Sequence, residues 1–124
     1  MPHTILEYSA NIEDQPDLQL FFQQLHTFLV EAAPCRLQDL KSRAYRCDEY
    51  RMADGQDAMA FAHLAINIFE GRTPEVLARM GQGALDLMRE HFPLTLARRQ
   101  ADLTVEIRGM RKDAYFKASS VKVP

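Results

Sequence analysis

At 124 residues the chain fits one domain, large enough to bury roughly two-thirds of the surface its unfolded form would expose. Apolar residues make up 47% and charged ones 26%, and the formal net charge of -2 gives no broad attraction to nucleic acid or anionic lipid. The longest nearly apolar run, residues 58–69, includes His63 and Asn67 and is about half the length of a membrane span, and residues 1–15 hold Glu7, Glu13 and Asp14 with no apolar leader segment.

These features predict a cytoplasmic protein. A reducing compartment leaves Cys35 and Cys47 as free thiols.

The chain opens Met1-Pro2-His3. Removal of Met1 is expected when so small a residue follows it, and it would leave Pro2 as the amino terminus with a secondary amine held rigid by its ring. Thr4 to Tyr8 alternates as a short strand, with Ile5 and Leu6 on opposite faces. Asp14 and Asp17 flank Pro16, acids expected near the positive end of a helix dipole. Leu18, Phe21, Phe22, Leu25, Phe28, Leu29 and Ala32 then fall at helical spacing, and Pro34 ends the helix.

Leu40 to Arg51 reads as extended, with Lys41, Arg43, Tyr45 and Cys47 sharing one strand face. Asp54-Gly55 marks a turn. Ala60 to Phe69 is the strongest strand: Ala60, Ala62, Leu64, Ile66 and Ile68 face one way, and Phe61, His63, Ala65 and Asn67 the other. Thr73 as N-cap and Pro74 at the first helical position open a second helix to about Phe92. It is expected to bury Leu77, Met80, Ala84, Leu87 or Met88, and Phe92, with Gly81 and Gly83 leaving room for another backbone. Ala101 to Met110 alternates as a half-exposed last strand, and the tail from Arg111 to Pro124 is basic, extended and suited to packing on a neighbour.

Strand, helix, strand therefore occurs twice, in halves of about 1–57 and 58–110 followed by a tail at 111–124 in a single domain of 1–124. Two such β-α-β units predict an α+β fold, a four-stranded mixed sheet with both helices on one face. The other face, bearing Phe61, His63 and the Lys41–Arg43 side, has no cover from the predicted elements, so self-association is expected.

Common catalytic signatures do not occur: no P-loop, no Gly-x-Gly-x-x-Gly, no Gly-x-Ser-x-Gly, no Cys-x-x-Cys. His3, His26, His63 and His91 form no ligand pair at helical spacing, so a metal is not expected, and Glu7, Asp48, Glu49 and Glu106 are scattered over strands and turns. What remains is the Pro2 amine and the cations Lys41, Arg43 and Arg72, together a base beside carboxylate receptors. Arg72 stands just ahead of a helix N-terminus, a place that favours anions.

The residues Met1-Pro2-His3, Glu7, Ser9, Asn11-Ile12, Ser42-Arg43, Met52-Ala53-Asp54-Gly55-Gln56, Phe61, His63, Gly71-Arg72, His91-Phe92, Glu106-Ile107 and Phe116-Lys117 resemble the 5-carboxymethyl-2-hydroxymuconate delta-isomerase family. The resemblance runs through nearly the whole chain, and Met-Ala-Asp-Gly-Gln is its most specific piece. It implies the tautomerase superfamily, with fused β-α-β units, three associated subunits and an amino-terminal proline as general base and acid. It implies isomerisation of 5-carboxymethyl-2-hydroxymuconate to its 2-oxo-3-ene isomer in homoprotocatechuate catabolism, with no cofactor. The family's proline falls on Pro2 and a substrate-binding arginine on Arg72.

Where the family pattern reads Arg-Ser-Arg, this chain has Lys41-Ser42-Arg43. Lysine keeps the charge without the planar fork that grips a carboxylate twice. Lys41 then holds substrate more loosely, or Arg43 takes over, or the substrate is a different enol or 2-oxo acid. A non-catalytic trimeric binding protein of the same fold is the remaining alternative. The implied partners are a small polycarboxylate and two further copies of the chain, with neither nucleic acid nor membrane.

Overall fold

A computed structural model describes residues 1–122. The elements are β1 (His3–Ser9), α1 (Leu18–Ala32), β2 (Lys41–Cys47), β3 (Met59–Phe69), α2 (Pro74–His91), α3 (Pro93–Arg98) and β4 (Gln100–Met110). Single 3-10 turns at Leu37–Asp39 and Lys112–Ala114 precede β2 and follow β4. The sheet order is β2-β1-β3-β4. β1 runs parallel to β2 and β3 parallel to β4, while β1 and β3 are antiparallel, which makes the sheet mixed.

The two long helices, α1 and α2, begin where capping side chains supply the missing acceptors. The Asp17 carboxylate accepts from Leu20 N at 3.0 Å to start α1, and Thr73 Oγ accepts from Val76 N at 3.3 Å to start α2 behind Pro74. Both helices lie on one sheet face, over a core of Leu6, Ala62, Leu64, Ile66 and Ile68 from the strands and Phe21, Leu25, Leu29, Met80, Ala84, Met88 and Phe92 from helices and connections. The alternation predicted for β3 is what the burial shows, with Ala65 also buried on the second face.

Three local expectations are corrected. Asp14 does not serve α1. Its carboxylate accepts from Leu94 N, Thr95 N and Thr95 Oγ1 at 3.0, 2.8 and 2.6 Å, pinning α3, a helix that sequence periodicity did not announce. Leu77 is 36% exposed, because it lines an open cavity beside Phe69 and Arg72 instead of entering the core. Tyr50 packs on Phe61 and Tyr115 on Phe69, so the second sheet face is partly covered by the chain's own loop and tail. The tail thus folds back on its own sheet, although Phe116 stays 89% exposed. Val123 and Pro124, at the end of the predicted tail, lie outside the described residues.

Gly83 also differs from expectation: it admits a ring and not a backbone. A Cβ at this position would stand 2.0 Å from Phe28 Cζ, so α1 and α2 approach by seating the Phe28 ring on the bare glycine. Gly83→Ala should gain up to about 1 kcal/mol in helix propensity and lose about 1–3 kcal/mol by displacing the ring. Thermal unfolding should show a net loss of stability, and the loss should vanish when Gly83→Ala is made in a Phe28→Ala background.

Candidate active site

The strand directions collect particular segments at one end of the sheet. Parallel pairing sets His3 beside Lys41, so the starts of β1 and β2 lie together, with the turn through Asp39 leading into them. Antiparallel pairing sets His3 beside Asn67, so the end of β3 and the turn through Arg72 arrive there too. β4 is parallel to β3 and ends at the same place, which brings the tail with it. Pro2, Asp39, Lys41, Arg72, Tyr115 and Lys117 therefore share one end of the fold although they are scattered in sequence.

Pro2 is fully buried and extends the face of Thr4 and Leu6; its carbonyl accepts from Lys41 N at 3.2 Å, one step beyond the regular ladder. Met1 stands ahead of it, and its amine lies 3.6 Å from Asp39 Oδ2. Burial pulls the pKa of that amine below the ordinary α-amine value; Asp39 acts the other way, and Lys41 adds to the lowering.

Asp39 is the residue that sequence reasoning missed. Its carboxylate is bound at 3.1 Å by Arg36 Nε, at 3.3 Å by Arg36 Nη2 and at 3.2 Å by Lys117 Nζ. The Arg36 hydrogen bonds, then Lys117 and the amine, hold its carboxyl well below the usual carboxylate range against the opposing push of burial. The available signal was topological: a residue just ahead of a strand parallel to β1 must lie near the start of β1.

Lys41 projects from the sheet face opposite the helices, and its Nζ turns back to donate to Asp39 O at 2.9 Å. Arg43 shares that face and donates from Nη1 to His3 Nδ1 at 3.2 Å. Nδ1 is thus an acceptor, the ring proton of neutral His3 sits on Nε2, and Nε2 donates to Tyr115 Oη at 2.9 Å. Burial, Arg43, Lys41 and the amine all depress the His3 pKa, which keeps this ring neutral.

Arg72 follows Gly71, whose φ of 117° belongs to the left-handed region that glycine tolerates, and its Nη1 donates to Phe69 O at 3.0 Å. It lines a cavity of about 170 Å³ with Ile68, Phe69, Leu77 and Ile107. Arg72 makes no hydrogen bond or ion pair with the N-terminal residues among the described residues. The two are linked through Cys35: burial pushes that thiol up, while Arg72 and the amine each pull it down. A wider cleft of about 320 Å³, lined by Asn11, Asp48, Tyr50, Arg51 and the Met52–Gln56 region, belongs to the β2–β3 loop. It contains none of the predicted site residues.

Among the described residues no group of His, Cys, Asp and Glu is arranged to hold a metal ion, and no helix is long and apolar enough to cross a membrane.

The profile of the family described as 5-carboxymethyl-2-hydroxymuconate isomerase matches residues 2–123. The chain is similar to the 5-carboxymethyl-2-hydroxymuconate Delta-isomerase of Escherichia coli, with 31% identity over 121 residues, 98% of this chain and 96% of the relative. It is similar in structure to a 5-carboxymethyl-2-hydroxymuconate isomerase from Deinococcus radiodurans R1, with a TM-score of 0.86, 31% identity and coverage of 96% and 90% of the two chains. A fused 4-OT described as a wild-type symmetric trimer shares the fold alone, with a TM-score of 0.72 at 13% identity over 96% of this chain and 94% of that one.

Proposed function

The chain belongs to the 5-carboxymethyl-2-hydroxymuconate isomerase family, and from that membership we propose that it is a tautomerase whose general base and acid is the Pro2 amine, freed by loss of Met1. The observation that carries the proposal is the gathering of Pro2, Lys41 and the Arg72 cavity at one end of the sheet. On this reading the substrate is 5-carboxymethyl-2-hydroxymuconate and the product its 2-oxo-3-ene isomer, a step in aromatic catabolism.

The amine takes the enol O–H proton, electrons move through the diene, and the same nitrogen returns the proton to the far carbon. No other reagent enters the balance. A cationic Arg72 orients one carboxylate and stabilises charge on the dienolate. Lys41, and Arg43 with the donors left after its bond to His3, serve the other side of the substrate. Three copies associate through the second sheet face, where Phe116 and the half-buried Ile5, Phe61 and Phe69 remain to be covered.

The base must be unprotonated, so kcat/KM should rise with pH through the amine's pKa and level off above it. A free α-amine titrates near 8. Burial lowers the Met1 amine against the opposing pull of Asp39, and Pro2 is itself fully buried, so the acid limb should lie below that value. The test is an ultraviolet assay of muconate isomerisation across pH, on protein whose terminus is shown by mass spectrometry to be Pro2. Absence of turnover would favour a non-catalytic binding protein. Turnover of a less charged enol acid, with the muconate refused, would favour the substrate reading that Lys41 suggests.

A further inference from the structure

Ile68 of β3, Ile107 of β4 and Leu77 of α2 wall the cavity in which Arg72 is the one cation among the described residues that line it. Ile107 faces α2, since a Cβ on Gly81 would stand 3.7 Å from its Cδ1, and Leu77 is the one lining residue that α2 contributes. Glu70 is exposed, but its stem closes a further side: a Cβ on Gly109 would stand 2.7 Å from Glu70 Cγ, so the stem lies across bare β4 backbone. Of the fork of N–H donors on its guanidinium, Arg72 uses one on Phe69 O among the described residues. A cation with donors to spare, set among apolar walls, suits a carboxylate carried on a short hydrocarbon arm.

The register of β1 on β3 sets this cavity beside Pro2. His3 pairs with Asn67, and one step further along the antiparallel ladder Pro2 stands opposite Ile68. Both are buried, on the sheet face that carries the helices. Directly opposed residues have Cβ atoms about 4.5–5.5 Å apart, so the cavity wall at Ile68 begins one strand away from the base. Met1 does not line the cavity, and its loss leaves the walls in place. A volume of about 170 Å³ equals roughly six water molecules at about 30 Å³ each. It seats an arm of about six heavy atoms and not the whole of a muconate tricarboxylate.

We propose that Leu77 is the specificity-determining residue of this cavity, the wall that limits the length of the arm whose carboxylate Arg72 holds. The substrate class is an enol polyacid with one carboxylate on a short unbranched arm, and the carboxymethyl group of the muconate is such an arm. A longer arm overfills the cavity and leaves its reacting carbon short of the Pro2 nitrogen. This deepens the reading of the Pro2 end as the substrate site and rests on it.

The experiment uses the full chain with Met1 removed and three inert probes, phenylacetate, 4-phenylbutanoate and 6-phenylhexanoate, titrated by calorimetry or NMR. The planar ring stands for the substrate's conjugated body, and the arms lengthen by two methylenes at a step, each newly buried methylene tightening binding by about fourfold. In the unaltered protein 4-phenylbutanoate should bind about fifteenfold tighter than phenylacetate, and 6-phenylhexanoate should gain nothing further. Leu77→Ala removes about three carbons from the wall, so the affinity of 6-phenylhexanoate relative to phenylacetate should rise by about fifteenfold. Leu77→Met, which conserves volume, should keep the original order, whereas Arg72→Ala should weaken all three probes alike. A merely structural role for Leu77 would shift the three affinities together. An unchanged ratio in Leu77→Ala, or probes indifferent to Arg72→Ala, would overturn the proposal. If the unaltered protein isomerises no enol, the isomerase reading fails while the probe ratios still decide the role of Leu77.

Discussion

A chain that keeps Met1, or carries a tag ahead of Pro2, is expected to lose isomerase turnover by about 10²–10⁴-fold, the usual contribution of a positioned general base. With Met1 attached the Pro2 nitrogen is a tertiary amide, and its lone pair is shared with a carbonyl and accepts no proton at neutral pH. The Met1 amine is no substitute. It stands one residue further out, 3.6 Å from Asp39 Oδ2, displaced from the position that the Pro2 nitrogen holds. Pro2→Ala, if Met1 is still cleaved, leaves a primary amine at the right residue and should fall between the two extremes, since the amine is kept and the rigid ring is lost. The measurement pairs terminal mass spectrometry with the ultraviolet assay on each species, and circular dichroism shows that the blocked chain is folded. Equal turnover with a blocked terminus would remove Pro2 from the mechanism.

The parts of this fold that could be read from the sequence were those set by local pattern. β1 and β3 follow from strict alternation, and α1 and α2 from Asp17 and Thr73 with apolar residues at helical spacing behind them. The order of elements then gave the doubled unit. Features fixed by contacts between distant residues stayed hidden. The helix after Pro93 depends on Asp14, 81 residues from Thr95, and nothing within Pro93–Arg98 announces a helix of its own. The seating of Phe28 on Gly83 is of the same kind. At the site, Pro2 and the cations were visible as residue types in unusual places, whereas Asp39 is an unremarkable acid until β1 and β2 are paired and the tail returns with Lys117. Arg43 illustrates the converse. Its strand face was legible, but its bond to His3 required knowing that Ile5 and Arg43 are cross-strand partners, which puts His3 within its reach.

Arg72→Ala is expected to lower kcat/KM by about 10²–10³-fold, the range seen when one preorganised donor to a developing anion is removed. The side chain can be deleted without much cost to folding, because it is half-buried at a turn and, among the described residues, its one hydrogen bond is to Phe69 O. Gly71 and Thr73 shape the turn and start α2, and they are untouched. Arg72→Lys keeps the charge and loses the planar fork, so it should recover only part of the loss. A second readout reports the charge apart from turnover. Arg72 lowers the pKa of the Cys35 thiol, so its removal should raise that pKa further and slow alkylation of Cys35 at a fixed mildly alkaline pH. Cys47, at the opposite end of β2 from Lys41, serves as the internal control, and its alkylation should be unaltered. If Cys35 reactivity shifts as expected while kcat/KM stays level, the cation at Arg72 is near the amine but outside the reaction, and carboxylate recognition must rest on Lys41 and Arg43. If both change together, the cavity between Arg72 and Leu77 is the part of the site that holds the substrate's carboxylate.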